Sequence, residues 1–319
     1  MSELDLAKLL EFSISLAKEA GELISQGSDA ILSSEADEVD DKKNSVDLVT
    51  KYDKAVEELV NQRIKKAYPT FAFVGEEGTS ASGSLPVFTD EPTFCVDPID
   101  GTTNFVHGFP FSVISIGLIY KKRAVLGVIF NPFLDWLYYA TEGNGAWLVK
   151  AGGSPTKLPL HPPRPLPSLS KALIAVEWGS DRSAKAIQAR ADSFSRLAGD
   201  GKEVQGGKMA HSLRSIGSAA MNFAMVASGQ LDIYWEIGCW PWDVAAGIVI
   251  VQEAGGLFNT SDLSLHNGEV TGDSTDKVLT GRKYIAIRPI SDAKAEKGKE
   301  TQKRLVKEFC ETIVDFDAN

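Results

Sequence analysis

Residues 95–105 combine two carboxylates, two hydroxyls and a glycine directly after an apolar stretch. Residues 93–96 predict the end of a buried strand, so Asp97 would emerge at its carboxyl edge, and the proline that follows imposes an extended or turning backbone. Asp97 and Asp100 can then converge on one hard cation such as Mg²⁺, with the Ile99 carbonyl as a further oxygen ligand. The spacing predicts a metal and phosphate site.

A plain turn is the alternative for this segment, because Asp and Gly supply local hydrogen bonds and permissive dihedral angles. Thr102, Thr103 and Asn104 favour the site instead. Hydroxyls and backbone amides at the point where a helix can begin are a setting that binds phosphate.

Further acids follow other predicted elements. Glu76 and Glu77 come directly after a short apolar strand, and neighbouring side chains of an extended backbone point in opposite directions, so one of them is expected at the metal. Asp243 begins a helix that is apolar nearly all round, where an unpaired carboxylate is costly and a cation would relieve it. For Glu76 and Glu77 the alternative is a solvated acidic turn, and for Asp243 it is a helix cap.

Asp53 also begins a predicted helix, and capping that helix is its simplest use. A carboxylate and a threonine hydroxyl bonded to it, such as that of Thr102, can together remove a proton from metal-bound water. The two residues are far apart in the sequence.

Apolar periodicity and turn residues predict helices over 6–23, 53–68, 182–197, 218–227, 243–254 and 290–313, and strands over 71–74, 93–97, 113–120, 124–130, 136–140, 146–149, 173–176 and 231–235. The four strands within 112–149 predict an antiparallel meander, and 33–45 a surface loop that could act as a lid. Proline-rich residues 151–168 separate two halves. We therefore expect an α+β half over 1–155 with most of the metal ligands, an α/β half over 156–290 with Asp243 and the substrate pocket, and a surface helix within 291–319.

Composition narrows the class of protein. The 319 residues have 43% hydrophobic content and a net charge of -10, which offers no general attraction to nucleic acid or acidic membranes. An acidic protein that binds phosphate needs cations to reverse the local charge. Three sparse cysteines, the lack of a signal-peptide pattern and the lack of a membrane-spanning apolar run predict a cytoplasmic protein with reduced thiols.

Three segments, Gly75 to Glu77, Asp97 to Asn104 and Trp242 to Gly247, occur in an order that resembles the inositol monophosphatase family. This family lies within the lithium-sensitive, Mg²⁺-dependent phosphatase superfamily. The resemblance runs from the first helix to about residue 288. It implies a layered α-β-α-β-α sandwich of the type shared with fructose-1,6-bisphosphatase, a homodimer, a small phosphate ester as substrate, and hydrolysis by metal-activated water with two or three Mg²⁺ ions per active site.

The resemblance also implies roles for individual residues. The implied metal ligands are Glu76, Asp97, the Ile99 carbonyl, Asp100 and Asp243, with Asp100 as a bridge between ions. The implied catalytic residues are Asp53 and Thr102, which activate the attacking water, and Glu77, which acts through water. The implied substrate contacts are Lys42 or Lys43, Gly101, Thr103, Gly217, Ser218, Ala219 and Glu236, and either Ser180 or Asp181 could join them.

These features favour a phosphomonoesterase that hydrolyses inositol monophosphate to inositol and phosphate. The alternatives are a sibling phosphatase acting on 3′-phosphoadenosine 5′-phosphate, fructose 1,6-bisphosphate or histidinol phosphate, and a quinate-pathway regulatory homologue. Trp240 and Trp178 depart from the family pattern near the expected pocket, although packing is the usual role of tryptophan.

Overall fold

The computed structural model describes residues 4–33, 39–42, 48–80 and 86–318. The helices are α1 Leu6–Ser33, α2 Lys51–Ala67, α3 Glu76–Ser80, α4 Thr102–His107, α5 Ala184–Ala198, α6 Ala219–Ser228, α7 Pro241–Glu253, α8 Asp276–Leu279 and α9 Gly298–Thr312. The strands are β1 Val39–Asp41, β2 Leu48–Thr50, β3 Ala72–Gly75, β4 Thr93–Asp100, β5 Val113–Tyr120, β6 Arg123–Asn131, β7 Trp136–Thr141, β8 Ala146–Lys150, β9 Thr156–Lys157, β10 Leu173–Val176, β11 Ser212–Arg214, β12 Ile233–Ile237, β13 Leu257–Thr260 and β14 Lys283–Ile287.

Helices and sheets alternate in five layers. α1 and α2 pack on one face of a seven-stranded sheet with the order β3-β4-β5-β6-β7-β8-β9. α6 and α7 fill the space between its other face and a five-stranded sheet with the order β11-β10-β12-β14-β13. α5 and α9 cover the outer face of that second sheet. The predicted α-β-α-β-α sandwich is confirmed.

The first sheet contains the predicted antiparallel meander, in which β5, β6, β7 and β8 pair in chain order. β4 extends beyond the predicted 93–97, because the strand continues to Asp100 through a register shift against β5. Pro98 lies inside this irregularity, where its missing N–H costs no ladder hydrogen bond. The bulge therefore brings both aspartates of the motif to one end of a buried strand.

α7 packs closely against the first sheet because two glycines face it. Gly117 and Gly127 lie opposite each other on β5 and β6. A Cβ atom on Gly127 would collide with the carbonyl of Ala246 in α7, and one on Gly117 would meet Ala245. α7 is buried on nearly all sides, as its composition predicts, but it begins at Pro241 and so places Asp243 in its first turn.

Several predicted boundaries are wrong. α2 begins at Lys51, because Thr50 is the N-cap and Asp53 the third residue of a capping box. α9 begins at Gly298, not at 290, and its fully buried Leu305 and Phe309 pack against the second sheet, so it is not only a surface helix. Of the predicted 33–45 loop, Ser33 ends α1, residues 39–41 form β1 and Lys42 follows as a bend, and the rest lies outside the described residues.

The boundary predicted at residue 155 falls just before β9, which still pairs with β8 of the first sheet. The three cysteines are free thiols, as predicted. Across the described ranges, no helix has the length and apolar content needed to cross a bilayer.

Candidate active site

One cavity lies at the end of β4, bounded by the first turns of α3, α4, α6 and α7. Of the predicted site residues, those that line it are Lys42, Glu76, Glu77, Asp97, Ile99, Asp100, Gly101, Thr102, Thr103, Ser180, Gly217, Ser218, Ala219, Glu236 and Asp243. Of the two alternatives Ser180 and Asp181, only Ser180 is among these lining residues. Asp53 lies directly behind Thr102. Lys43, the alternative to Lys42, lies outside the described residues.

Asp100 accepts hydrogen bonds from the first turn of α6. Its Oδ2 accepts from the Ser218 hydroxyl and from the Ala220 amide, both at 2.6 Å, and its Oδ1 accepts from the Ala219 amide at 3.2 Å. Burial raises the pKa of Asp100 to about 7, although these hydrogen bonds oppose the rise. The amide of Ala219 and the hydroxyl of Ser218 are therefore directed to Asp100, whereas the resemblance implied that they contact the substrate.

The buried Asp97 and the half-buried Asp243 are neighbouring carboxyl groups. The Asp97 Oδ1 accepts from the Ile99 amide at 2.9 Å, and the Asp243 Oδ2 accepts from the Trp240 amide at 2.7 Å. Burial, and then repulsion by neighbouring acids, raises the pKa of both groups well above the usual range.

Glu76 and Glu77 open the short helix α3 and do not continue an extended strand. The prediction that they point in opposite directions is wrong, because the Lys42 ammonium donates to Glu76 at 2.8 Å and to Glu77 at 2.7 Å. Burial would lower the pKa of Lys42, but the two carboxylates outweigh it and raise that pKa. Burial and the charge of Glu76 raise the pKa of Glu77 to about 7.

Thr102 and Asp53 lie together, as the family resemblance implies. The Thr102 hydroxyl is 3.2 Å from the Asp53 Oδ1 and 3.2 Å from the Ile99 carbonyl oxygen. Asp53 is fully buried, and its Oδ2 accepts from the Thr50 amide at 2.7 Å and from the Thr50 hydroxyl at 2.6 Å. Burial raises its pKa to about 6. Asp53 therefore caps its helix with one oxygen and contacts Thr102 with the other.

Three further predicted substrate contacts, Gly101, Gly217 and Glu236, line the same cavity as the acids. Gly101 has a φ of 92° and Gly217 a φ of 78°, and both conformations favour glycine. The two residues also approach closely, because a Cβ on Gly101 would lie 3.0 Å from the Gly217 carbonyl oxygen. Glu236 is buried, accepts from the Tyr234 hydroxyl at 2.5 Å, and has its pKa raised to about 8 by burial and by Glu177.

Comparison with known proteins identifies the family. The model of the inositol monophosphatase family matches residues 5–313. The chain belongs to this family.

The relatives of this chain match it over different shares of its length. Protein qutG of Emericella nidulans is 39% identical over 98% of this chain and 95% of its own. Quinic acid degradation cluster protein x of Neurospora crassa is 35% identical over 98% of this chain and 96% of its own. Inositol monophosphatase 2 of Saccharomyces cerevisiae is 46% identical over 69% of this chain and 71% of its own. The solved inositol monophosphatase of Anabaena (Nostoc) sp. PCC 7120 has a TM-score of 0.68 at 26% identity, and the match covers 98% of each chain.

The family generally depends on Mg²⁺, and the donor set fits that ion. The ligands available to a cation at this end of the cavity are carboxylate and carbonyl oxygens, and burial is the largest cause of the raised pKa values of Asp97, Asp100 and Asp243, so a bound cation would favour their ionised forms. Within the described ranges, however, no three acidic, histidine or cysteine side chains are arranged to hold an ion. Lys42 and the first turn of α6 engage oxygens that a metal would need.

Three residues of the site were not predicted from the sequence. Glu57 on α2 accepts from the Glu77 amide at 2.7 Å and the Gly78 amide at 2.9 Å. Its spacing of four residues from Asp53, on the same helix face, was the available signal. Glu177 and Arg282 also line the cavity, and no local pattern marks Arg282.

Proposed function

We propose that this protein is a Mg²⁺-dependent phosphomonoesterase that hydrolyses inositol monophosphate to inositol and phosphate. The observation that carries the proposal is the Thr102–Asp53 contact of 3.2 Å beside a buried group of carboxyls. Such a pair suits hydrolysis by water, because it can receive the proton that water loses when it attacks phosphorus.

The proton route follows from the hydrogen bonds of Thr102. A hydroxyl has one proton to donate and lone pairs that accept. When Thr102 donates to Asp53, which Thr50 orients from behind, its oxygen is free to accept a proton from the attacking water. The water oxygen bonds to phosphorus, the bond from phosphorus to the inositol oxygen breaks, and that oxygen acquires a proton as the alcohol leaves.

Glu76, Asp97, Asp100, Asp243 and the Ile99 carbonyl would hold the metal. Bound Mg²⁺ supplies charge neutralisation for the phosphate and lowers the pKa of water. Lys42 would have to leave Glu76 when an ion binds there, since its ammonium lies 2.8 Å from that carboxylate.

Substrate binding is assigned to the rest of the cavity. The first-turn amides of α4 lack intrahelical acceptors, so Gly101, Thr102 and Thr103 can donate to the phosphate. Glu236 and the backbone of Gly217 would contact ring hydroxyls. Lithium sensitivity, a homodimer and a cytoplasmic location stay predictions.

The test is phosphate release from a panel of inositol, sugar and nucleotide phosphates with Mg²⁺, with and without Li⁺. We expect the highest kcat/KM for an inositol monophosphate and loss of activity with a chelator. Asp100→Asn should reduce kcat by several orders of magnitude while the circular dichroism spectrum is retained. Near-normal turnover in this variant, or equal rates on every substrate, would contradict the assignment.

A second candidate is a role in quinic acid breakdown. The relatives named protein qutG and quinic acid degradation cluster protein x each match 98% of this chain. A regulatory form of this role predicts that a pathway metabolite binds without release of phosphate, whereas a sibling phosphatase would release phosphate from a different ester in the same panel.

A further inference from the structure

The cavity continues well beyond the acids and the predicted ring contacts. Its volume of about 1350 Å³ exceeds the roughly 300–1000 Å³ of most small-molecule pockets. Trp178, Arg182, Trp240 and Arg282 also line it. We call these four side chains the outer wall, and neither the proposed metal ligands nor the proposed phosphate contacts explain them.

Arg282 is held in one orientation on this wall. Its guanidinium carbon lies 3.8 Å from the ring centroid of Trp240, and its Nη2 donates to the Gly238 carbonyl at 2.7 Å. Trp240 in turn stacks on the buried Trp242, with ring centroids 5.2 Å apart and planes at 11°. The arginine is therefore anchored through two indoles to the start of α7.

The two loops of the outer wall are fixed to each other by a second arginine. Arg190 is buried, donates from Nη1 to the Asp181 carbonyl at 2.8 Å, and donates from Nη2 to the Ile237 carbonyl at 3.1 Å. These carbonyls belong to the loops that carry Trp178 and Trp240. The outer wall is thus a rigid surface, which is the condition for selective binding.

The charge of Arg282 is poorly solvated. Burial lowers the pKa of its guanidinium, and the acidic groups near it offset this only in part. Arginine nevertheless stays protonated in proteins. A stacked, partly desolvated guanidinium binds a carboxylate well, because its planar donors match the two carboxylate oxygens.

We infer that the outer wall is a carboxylate subsite, and that the substrates of this enzyme include phosphate monoesters of polyhydroxy acids whose carboxylate binds Arg282. Hydrolysis of such esters rests on the proposed function, whereas their binding does not. The acids at the other end of the cavity repel anions, so a second anionic group is tolerated only where Arg282 offsets that repulsion.

Two esters that differ only in the carboxylate provide the test: 6-phosphogluconate and glucitol 6-phosphate. We expect a lower KM for 6-phosphogluconate. Arg282→Gln should raise that KM about 10-fold or more with little change in kcat, since a hydrogen bond to a charged group is lost. The KM for glucitol 6-phosphate should change less than about 2-fold. Lys185→Gln, at an exposed position outside the lining of the cavity, controls for the loss of one positive charge and should affect both esters weakly and equally.

Equal KM shifts for both esters in Arg282→Gln, or no preference in the wild type, would overturn the subsite. Arg282→Lys keeps the charge but not the planar donors, and it serves if the glutamine variant does not fold. If neither ester nor any inositol phosphate is hydrolysed, the proposed function fails, and Kd values from calorimetry with the same two esters still decide the subsite. Tighter binding of 6-phosphogluconate that is lost in the Arg282 variant supports it, and equal binding rejects it.

Discussion

At the scale of single residues, the carboxylate of Glu177 holds in place the segments on either side of the first turn of α6. The Glu177 Oε1 accepts from the Ile216 amide at 2.7 Å, the Gly217 amide at 3.0 Å and the Asn222 side chain at 2.8 Å. These segments flank the first turn of α6, which donates to Asp100. Glu177 is therefore a positioning residue, which acts on the catalytic acids through the backbone.

Replacement of Glu177 tests that role. Glu177→Ala should lower kcat by about 10- to 100-fold, because small displacements at a reacting centre are costly. Glu177→Gln keeps an oxygen acceptor and should recover most of the activity. Glu253→Ala is the matched control, since Glu253 accepts from the amides of Gly143 and Gly145 away from the cavity. An unchanged kcat in Glu177→Ala, or an equal loss in Glu177→Gln, would contradict positioning.

The residues predicted from the sequence are those in local patterns. Asp97 and Asp100 lie in one short segment, and Asp243 is marked by the apolar helix around it. Glu57 and Glu177 were missed as functional residues because their partners are backbone amides at least 20 residues away, and an amide carries no sequence signature. Arg282 gains its significance only by stacking on Trp240.

At the scale of elements, α2 supports two parts of the site. Its first turn carries Asp53, and one turn later Glu57 binds the amides that follow Glu76. Gly75 precedes this point at the end of β3, and a Cβ on it would lie 2.5 Å from the Glu57 Oε2. A side chain at position 75 would therefore press on the Glu57 carboxylate and on the ring of Phe73.

Gly75→Ala should therefore displace Glu57 and loosen the turn that carries Glu76. We expect kcat to fall about 10-fold or more, by the same argument of misplacement, with a higher Mg²⁺ requirement. Gly143→Ala is the control: its φ of 79° makes alanine strained there, while nothing lies within 4 Å of the new Cβ. Both variants should lose a few degrees of Tm. Equal activities in the two variants would show that the turn is not positioned by Glu57.

Element boundaries explain most of the errors of sequence prediction. Periodicity located α2 and α7, but each helix begins before its first strongly periodic residue. A capping box of Thr50 and Asp53 starts α2 at Lys51, and α7 starts at Pro241, with Asp243 accepting from the Trp240 amide. The bulge in β4 was hidden because Pro98 usually ends a strand. The layered fold itself followed from the order of motifs, whereas the packing of α9 on the second sheet required tertiary contacts.

At the scale of the molecule, the two halves of the chain close one acidic cavity between them. The first half supplies Asp97 and Asp100, and the second supplies Asp243 and Glu236. Burial is the largest cause of the raised pKa of each of these groups. The folded protein therefore carries a cost of ionising these acids that the unfolded chain does not have, and a cation in the cavity would reduce it.

The raised pKa values of these acids in the folded protein predict how its stability depends on pH. Asp100 has a folded pKa of about 7 and an ordinary pKa of 3.8, and Glu236 has a folded pKa of about 8 and an ordinary pKa of 4.5. Both groups therefore bind protons more strongly in the folded state. Their stabilisation is complete below those ordinary values and is lost as the pH rises through the folded pKa. In a chelator, Tm should thus fall between about pH 5 and about pH 8.5, Mg²⁺ should reduce the fall, and Glu236→Gln should make it shallower without metal. Differential scanning calorimetry across this range measures all three, and a Tm that rises with pH in the chelator would show that the acids are not buried together.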